Sequence, residues 1–477
     1  MVREVLESGR PLTYIQTSEE QRVVSVLREI GMGPVWSWSS TDGLRNSAGV
    51  PEANVGSARE ALDFIASHDG AAIFHLKDFH EPLRNSADVR RRIRDVYYRC
   101  LGTHKFVVIS SPVHFIPEEL GRSIVFLQLR TPDLLEITEY LKAETQGSLS
   151  EDILDQLAPA LLGLTLEEAH YAVERAKAGG KQLGPDSVPA LLLEKQLLIN
   201  RTGVLEYVAD GKDLNEIGGL EGLKQWLTER RKLFNLREGL KAEIVPKGVL
   251  LMGIPGCGKS LCVKAIASSF QLPLYRMDMI EIFSGRHGKP EGAFVQACRM
   301  MEDIAPAVLW FDEIEMGITS TESSGEQGRI FAFFLTWMQE KTSGLFVAAT
   351  ANRIDLLPAE MIRKGRFDEV FFVDLPLDAE QAEIFRIHLS RRGVDLSGLN
   401  IPQLTKLTNG WTGAEIEQCV VSALTRARLA DRDVEQNDLI DVAAKFVPLS
   451  RTMKEQISKI RSWAFERAIR ASPLPQR

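Results

Sequence analysis

The sequence predicts an α/β protein built on parallel sheets, and three observations predict it. Short apolar runs such as Gly248 to Met252, Ala307 to Phe311 and Leu345 to Thr350 have the length of strands buried on both faces, and helical stretches separate them. A glycine-rich turn joins the first of these strands to a helix. The first half of the chain runs through the same order of strands and helices before the second half begins.

At about 100–200 residues per domain, 477 residues predict two to four domains, each able to bury a core. The net charge of −8 argues against a protein built around a non-specific nucleic-acid surface. Cys100, Cys257, Cys262, Cys298 and Cys419 form no C-x-x-C pair, so reduced thiols are expected rather than disulfides or zinc ligands. Met1 to Pro11 carries acids and no apolar core of a signal peptide, and no apolar run reaches the roughly 18 residues of a membrane span. A soluble, cytoplasmic protein without a membrane partner is the expectation.

The turn reads Gly253-Ile254-Pro255-Gly256-Cys257-Gly258-Lys259-Ser260, the full G-x-x-x-x-G-K-[ST] pattern. Its glycines let backbone N–H groups point at phosphate oxygens. Lys259 adds a positive charge for the β- and γ-phosphates, Ser260 offers a hydroxyl to Mg²⁺, and the helix from Leu261 turns its positive end to the anion. The strand Ala307 to Phe311 ends in Asp312-Glu313, at the edge where parallel sheets bind ligands. Asp312 is suited to hold Mg²⁺ through its water shell, and Glu313 to polarise the attacking water. The strand Leu345 to Thr350 leads to Asn352, whose amide can orient that water. Arg363-Lys364-Gly365-Arg366 suits a charge clamp on phosphate. Asn352-Arg353-Ile354-Asp355 lacks the lysine of a guanine-reading N-K-x-D, which favours ATP.

With these motifs in place, 213–447 resembles an AAA+ ATPase of the classical clade. The resemblance implies a P-loop NTPase sheet with a helical lid, ATP and Mg²⁺ as cofactors, and a homo-hexamer. Ile217-Gly218-Gly219 is similar to the clade's entry motif beside the adenine. Asn352 matches the first sensor, Arg363 and Arg366 the paired arginine fingers, and Gly413-Ala414, opening the helix after Trp411-Thr412, the lid motif. Leu335 to Ser343 and Arg363 to Phe372 resemble one branch, the hypothetical chloroplast reading-frame AAA proteins and their bacterial relatives. In unfoldases of the family an aromatic grip follows the second strand. Ser284 to Pro290 here is basic, with no aromatic before Gly288, which puts threading in doubt. Thr319 to Gly328 reads as a mobile loop. Cys257, at a helix N-terminus, is a candidate for a lowered thiol pKa, set against a small residue that merely fits.

In the first half, Ala72 to Phe79 parallels Ala307 to Ile314, Ile116 to Leu120 parallels Leu357 to Met361, Ile124 to Leu129 parallels Val370 to Leu375, and Leu164 to Ala169 parallels Trp411 to Ile416. The chemistry differs. Thr17-Ser18-Glu19-Glu20-Gln21 follows the strand Leu12 to Gln16, with two acids that repel phosphate, and Lys77 stands at the Mg²⁺ position. The expectation is a degenerate P-loop-like α/β domain over 1–131 without a nucleotide site. A lid-like helical subdomain and linker follow over 132–200, then a large ATPase subdomain over 201–375 and a lid with C-terminal helix over 376–477. Trp36 and Trp38, at alternate strand positions, are candidates for a contact surface, one of them core. Met453 to Ala471 is amphipathic and expected on the lid, and Pro473 to Arg477 disordered. The function expected is ATP-driven remodelling of a protein client bound through the first half. The alternatives are an ATP-controlled switch or scaffold and, behind both, a nucleic-acid motor.

Overall fold

The computed structural model describes residues 2–209, 211–241, 243–286, 288–317, 325–341, 344–363 and 365–473. It forms two compact units, Met1–Leu191 and Leu192–Arg477. The division falls inside the helix Val188–Thr202.

The first unit carries six strands: β1 (Leu12–Gln16), β2 (Val35–Ser39), β3 (Gly43–Arg45), β4 (Ala72–Lys77), β5 (Lys105–Ser111) and β6 (Val125–Gln128). Their order is β3-β2-β4-β5-β1-β6. Only β3 runs antiparallel. Both faces are covered, as the unbroken apolar runs require. Tyr14, Phe74, Leu76 and Ile109 pack with Leu62 and Ile93 on one face. Ile15, Ile73 and Val108 pack with Val23 and Leu27 on the other. The helices Leu134–Glu144, Glu151–Leu161 and Leu166–Lys177 follow, the first and third opened by capping boxes.

The second unit carries β7 (Leu205–Tyr207), β8 (Gly248–Gly253), β9 (Leu274–Met277), β10 (Ala307–Phe311), β11 (Leu345–Ala351), β12 (Glu369–Val373) and β13 (Ile469–Arg470). Their order is β13-β12-β8-β11-β10-β9-β7, with β7 alone antiparallel. Four helices, Asp378–Ser390, Ile401–Leu407, Gly413–Leu429 and Gln436–Lys445, close on a core of their own around Phe385, Leu404, Trp411 and Ile416.

The repeat holds at the level of the sheet. The series β2-β4-β5-β1-β6 matches β9-β10-β11-β8-β12 strand for strand. Even the short turns correspond: Glu118–Leu120 after Pro117, and Ala359–Ile362 after Pro358.

Several expectations need correction. Trp38 is 2% exposed and donates its indole N–H to the Gly56 carbonyl. Trp36 is half-buried against Phe64, Phe74 and His68, so Trp38 is the core member of the pair, as expected, and most of Trp36 is taken up by packing. The C-terminal segment is helical only over Leu449–Thr452 and Lys454–Phe465, then ends in β13. Its Ile460, Trp463 and Ala468 pack on the ATPase core, not the lid, because β13 ties the segment to β12 of that sheet. Glu326 to Gly328 opens the helix Glu326–Glu340 rather than extending a loop; Thr319 to Ser324 of that loop lie outside the described residues. So do His287, Lys364, Thr342, Ser343 and the end of the chain from Leu474.

Candidate active site

The apolar strand β8 delivers the glycine turn to the C-terminal edge of the sheet, and Gly258 caps the helix Lys259–Phe270 that follows. Gly253 has φ 146, and a Cβ there would collide with the Val373 carbonyl of β12. Only glycine lets β8 and β12 approach so closely where the turn begins. The Lys259 side chain is 6% exposed and curls back over the turn, donating to the carbonyls of Gly253 at 3.0 Å and Ile254 at 2.9 Å. Burial pushes its pKa down to about 8, opposed by Cys257, Glu315, Asp312 and Glu313.

On the neighbouring strands, the Thr350 hydroxyl donates to Asp312 Oδ1 at 2.7 Å and accepts the Glu313 N–H at 3.1 Å. The Asn352 amide donates to Glu313 Oε1 at 2.7 Å. Glu315, 1% exposed, accepts the backbone N–H groups of Asn352 and Arg353 at 2.8 and 3.0 Å. Thr350 and Glu315 thus fix the two strand ends that carry Asp312, Glu313 and Asn352, and motif reading passed over both. Each left a signal. Thr350 is the one hydroxyl in the apolar β11, and Glu315 is a further acid two places beyond Glu313.

These groups share a cavity of about 450 Å³, within the usual range for a small-molecule site. Pro255 to Leu261 form its floor, and Asp312, Glu313, Thr350 and Asn352 one end. Ile217 and Gly218 line it with the lid residues Ile384, Ile387 and His388, beside Gly413 and Ala414. The Ala414 N–H donates to the Gly256 carbonyl at 3.0 Å, tying the lid helix to the turn. A Cβ on Gly218 would sit 2.6 Å from Ile384, so the close approach of these walls needs glycine.

Every residue expected to bind nucleotide or metal lines this cavity except Gly253, which holds Lys259 from behind. The two arginines do not. Arg363 is exposed, and Arg366 donates to the Glu360 carbonyl at 2.8 Å. Of the two readings of Cys257, the lowered thiol pKa needs correction. The thiol is pushed up to about 12, chiefly by burial, so the helix terminus does not make it a reactive thiolate.

Residues 249–375, which hold the turn, the acidic pair, Asn352 and both arginines, match the family model described as "ATPase family associated with various cellular activities (AAA)". The AAA domain-containing protein ycf46 of Pyropia yezoensis is 35% identical over 97% of this chain and 96% of its own length. The chain belongs to the AAA ATPases, in the ycf46 family. The ycf46 protein of Guillardia theta is likewise 35% identical, over 98% of this chain and 94% of its own. Two further models match within the first half: "SpoVK-like AAA ATPase, N-terminal domain" over 1–129 and its "second domain" over 134–202. The cell division cycle protein 48 homolog of Archaeoglobus fulgidus is 30% identical over 72% of this chain and 51% of its own length. This AAA protein is therefore an ATPase, and it binds nucleotide. None of the helices searched among the described residues is long and apolar enough to cross a membrane.

Proposed function

We propose that this AAA ATPase hydrolyses Mg–ATP as a homo-hexamer and spends the energy on remodelling a protein client bound through its first unit. The Ser260 hydroxyl and the Asp312 carboxylate line one cavity, and hard oxygen donors of this kind suit Mg²⁺. A bound Mg²⁺ would neutralise charge on the β- and γ-phosphates. Lys259 leaves its two carbonyls to meet the phosphates. Glu313, aimed by Asn352, takes the proton of the attacking water. Ile217, Gly218 and Ala414 wall the base. The five cysteines are all free, which fits work in a reducing cytoplasm.

The observation that carries the assembly is the place of Arg363 and Arg366, outside the cavity that holds every other expected catalytic group. A finger on another subunit's γ-phosphate is worth about 10³–10⁵ in rate, or roughly 4–7 kcal/mol. Arg366→Ala and Lys259→Ala proteins should each be inactive. Mixed, the second lends its fingers to the first, and activity returns. No recovery on mixing, with a rate per subunit independent of concentration, refutes the arrangement. Threading is not part of the proposal. The loop after Phe283 is charged and small, Arg286 pairs with Glu281, and Phe283 packs against the core.

A further inference from the structure

The C-terminal segment reaches several separate parts of the ATPase unit. Arg461 holds Asp374, just past β12, with bonds of 2.8–3.0 Å. β13 adds to the β12 edge with Ile469 opposite Phe371. The Ala471 N–H donates to the Phe372 carbonyl at 2.9 Å, and the Ala471 carbonyl accepts the Leu223 N–H at 3.1 Å. Gly222 permits that approach, since a Cβ there would stand 3.0 Å from the Ala471 oxygen.

One residue on, the Ser472 hydroxyl donates to Glu380 Oε1 at 2.5 Å. The same oxygen accepts the Leu220 N–H at 3.1 Å, while Oε2 accepts the Leu377 N–H at 2.8 Å. The nearby Glu383 takes the Gly219 N–H at 2.7 Å. Two carboxylates of the helix Asp378–Ser390 therefore grip the turn 217–220, whose Ile217 and Gly218 line the cavity. Leu220 closes that turn in the left-handed region, at φ 60, a conformation a leucine keeps only when its surroundings impose it.

We propose that the C-terminal strap belongs to the nucleotide site: Ser472 is a positioning residue that fixes Glu380, and through it the 217–220 turn against which the nucleotide's base rests. The proposal rests on the cavity being the ATP site. A strand from the end of the chain thereby links the sheet edge, the lid helix and the entry turn.

The test compares the full chain with Ser472→Ala, Ser472→Thr, Glu380→Gln and the double variant Ser472→Ala/Glu380→Gln. Each is titrated with a fluorescent non-hydrolysable ATP analogue and assayed for steady-state turnover. Ser472→Ala should weaken analogue affinity and raise KM by about threefold to tenfold, the worth of one hydrogen bond, while kcat holds. Ser472→Thr should restore both. The double variant should cost no more than the worse single one, because the two residues act in series. Parental affinity in Ser472→Ala overturns the proposal, as does a loss that threonine fails to restore or costs that simply add. Failure of the unaltered chain to bind the analogue would instead sink the reading of the cavity, and the strap with it.

Discussion

Two sheets with one strand order carry opposite charges at matching places. In the second unit the helix after β8 opens with Lys259, and Asp312 follows β10. In the first unit the helix after β1 opens with Glu20, and β4 ends in Lys77; the two pair at 2.9 Å. Where the second unit has a lysine and an aspartate, the first has a glutamate and a lysine. Pro112 follows β5 where Asn352 follows β11, so no side-chain amide stands at that place. One feature is common to both units. Asp78 has φ 49 and Glu313 φ 46. The left-handed residue after this strand thus belongs to the shared fold, and its presence at Glu313 is no sign of catalytic strain.

If Glu313 is the base, Glu313→Gln should keep ATP and lose about 10²–10⁴ in turnover, the worth of a positioned general base. ATP bound after gel filtration, with phosphate release near background, is the expected pair of results. Turnover at the parental rate removes Glu313 from that role. A smaller effect comes from copying the first unit's charges into the second. The double variant Lys259→Glu/Asp312→Lys sets the first unit's charges at these two places. It should fold, and its ATP affinity should fall about tenfold to a hundredfold or more, the value of a charge-assisted bond to phosphate. Residual tight Mg–ATP binding by that variant would point to a nucleotide site in the first unit.

The catalytic half was legible because phosphate chemistry dictates residue types at fixed spacings. The P-loop, the acidic pair and Asn352 all converge on one cavity. The first half was legible as a fold, since burial on two faces leaves the same apolar runs whatever chemistry the strand ends carry. Two kinds of feature escaped. Thr350 and Glu315 act by hydrogen bonds across strands, and no local pattern marks such pairs. The C-terminal stripe of Ile460 and Trp463 has helical spacing, which says that a face is buried but not against what.

A titration separates the halves by about tenfold per pH unit. Lys259 has a pKa of about 8 against its ordinary 10.5, burial being the leading cause. The folded chain therefore binds fewer protons there than the unfolded chain between those values, and this group's contribution to stability rises with pH across that window. Phosphate needs the charged form. ATP-analogue affinity should stay level below about pH 8 and fall above it, by up to about tenfold per unit. The first unit's Lys77 faces a carboxylate and no phosphate cradle, so Lys259→Ala should leave only weak, pH-independent binding. A parental chain whose affinity is flat to about pH 9.5 would show that the lysine keeps its proton despite its burial.

The smallest effect concerns the matching place in the first unit. In the second unit the lid helix Gly413–Leu429 meets the turn through Ala414 N–H and the Gly256 carbonyl, over a cavity. In the first, the matching helix Leu166–Lys177 meets the residue just before the helix Glu20–Ile30: the Leu166 N–H donates to Glu19 Oε1 at 2.9 Å. A carboxylate of the chain itself thus lies at a helix N-terminus, where a phosphate would be stabilised by the same dipole. Arg22 completes the joint, pairing with Glu19 at 3.0 Å and with both oxygens of Glu136 at 2.9 and 2.7 Å. Arg22 and Glu19 are about nine-tenths buried there, which shields the contact from water and salt. This joint holds without ligand, so the first unit should not loosen when ATP is withdrawn. Glu19→Ala removes one anion from the helix N-terminus and leaves Arg22 with Glu136 and the Arg130 carbonyl. It should cost about 1–2 kcal/mol, the scale of a lost cap with a favourable dipole contact. Hydrogen exchange should report faster opening of 166–177, with and without ATP alike. Glu19→Gln, which keeps an acceptor but not the charge, should fall between. Protection of 166–177 that depends on ATP in the parental chain would mean that the carboxylate does not stand in for a ligand, and the contrast between the two halves would lose its basis.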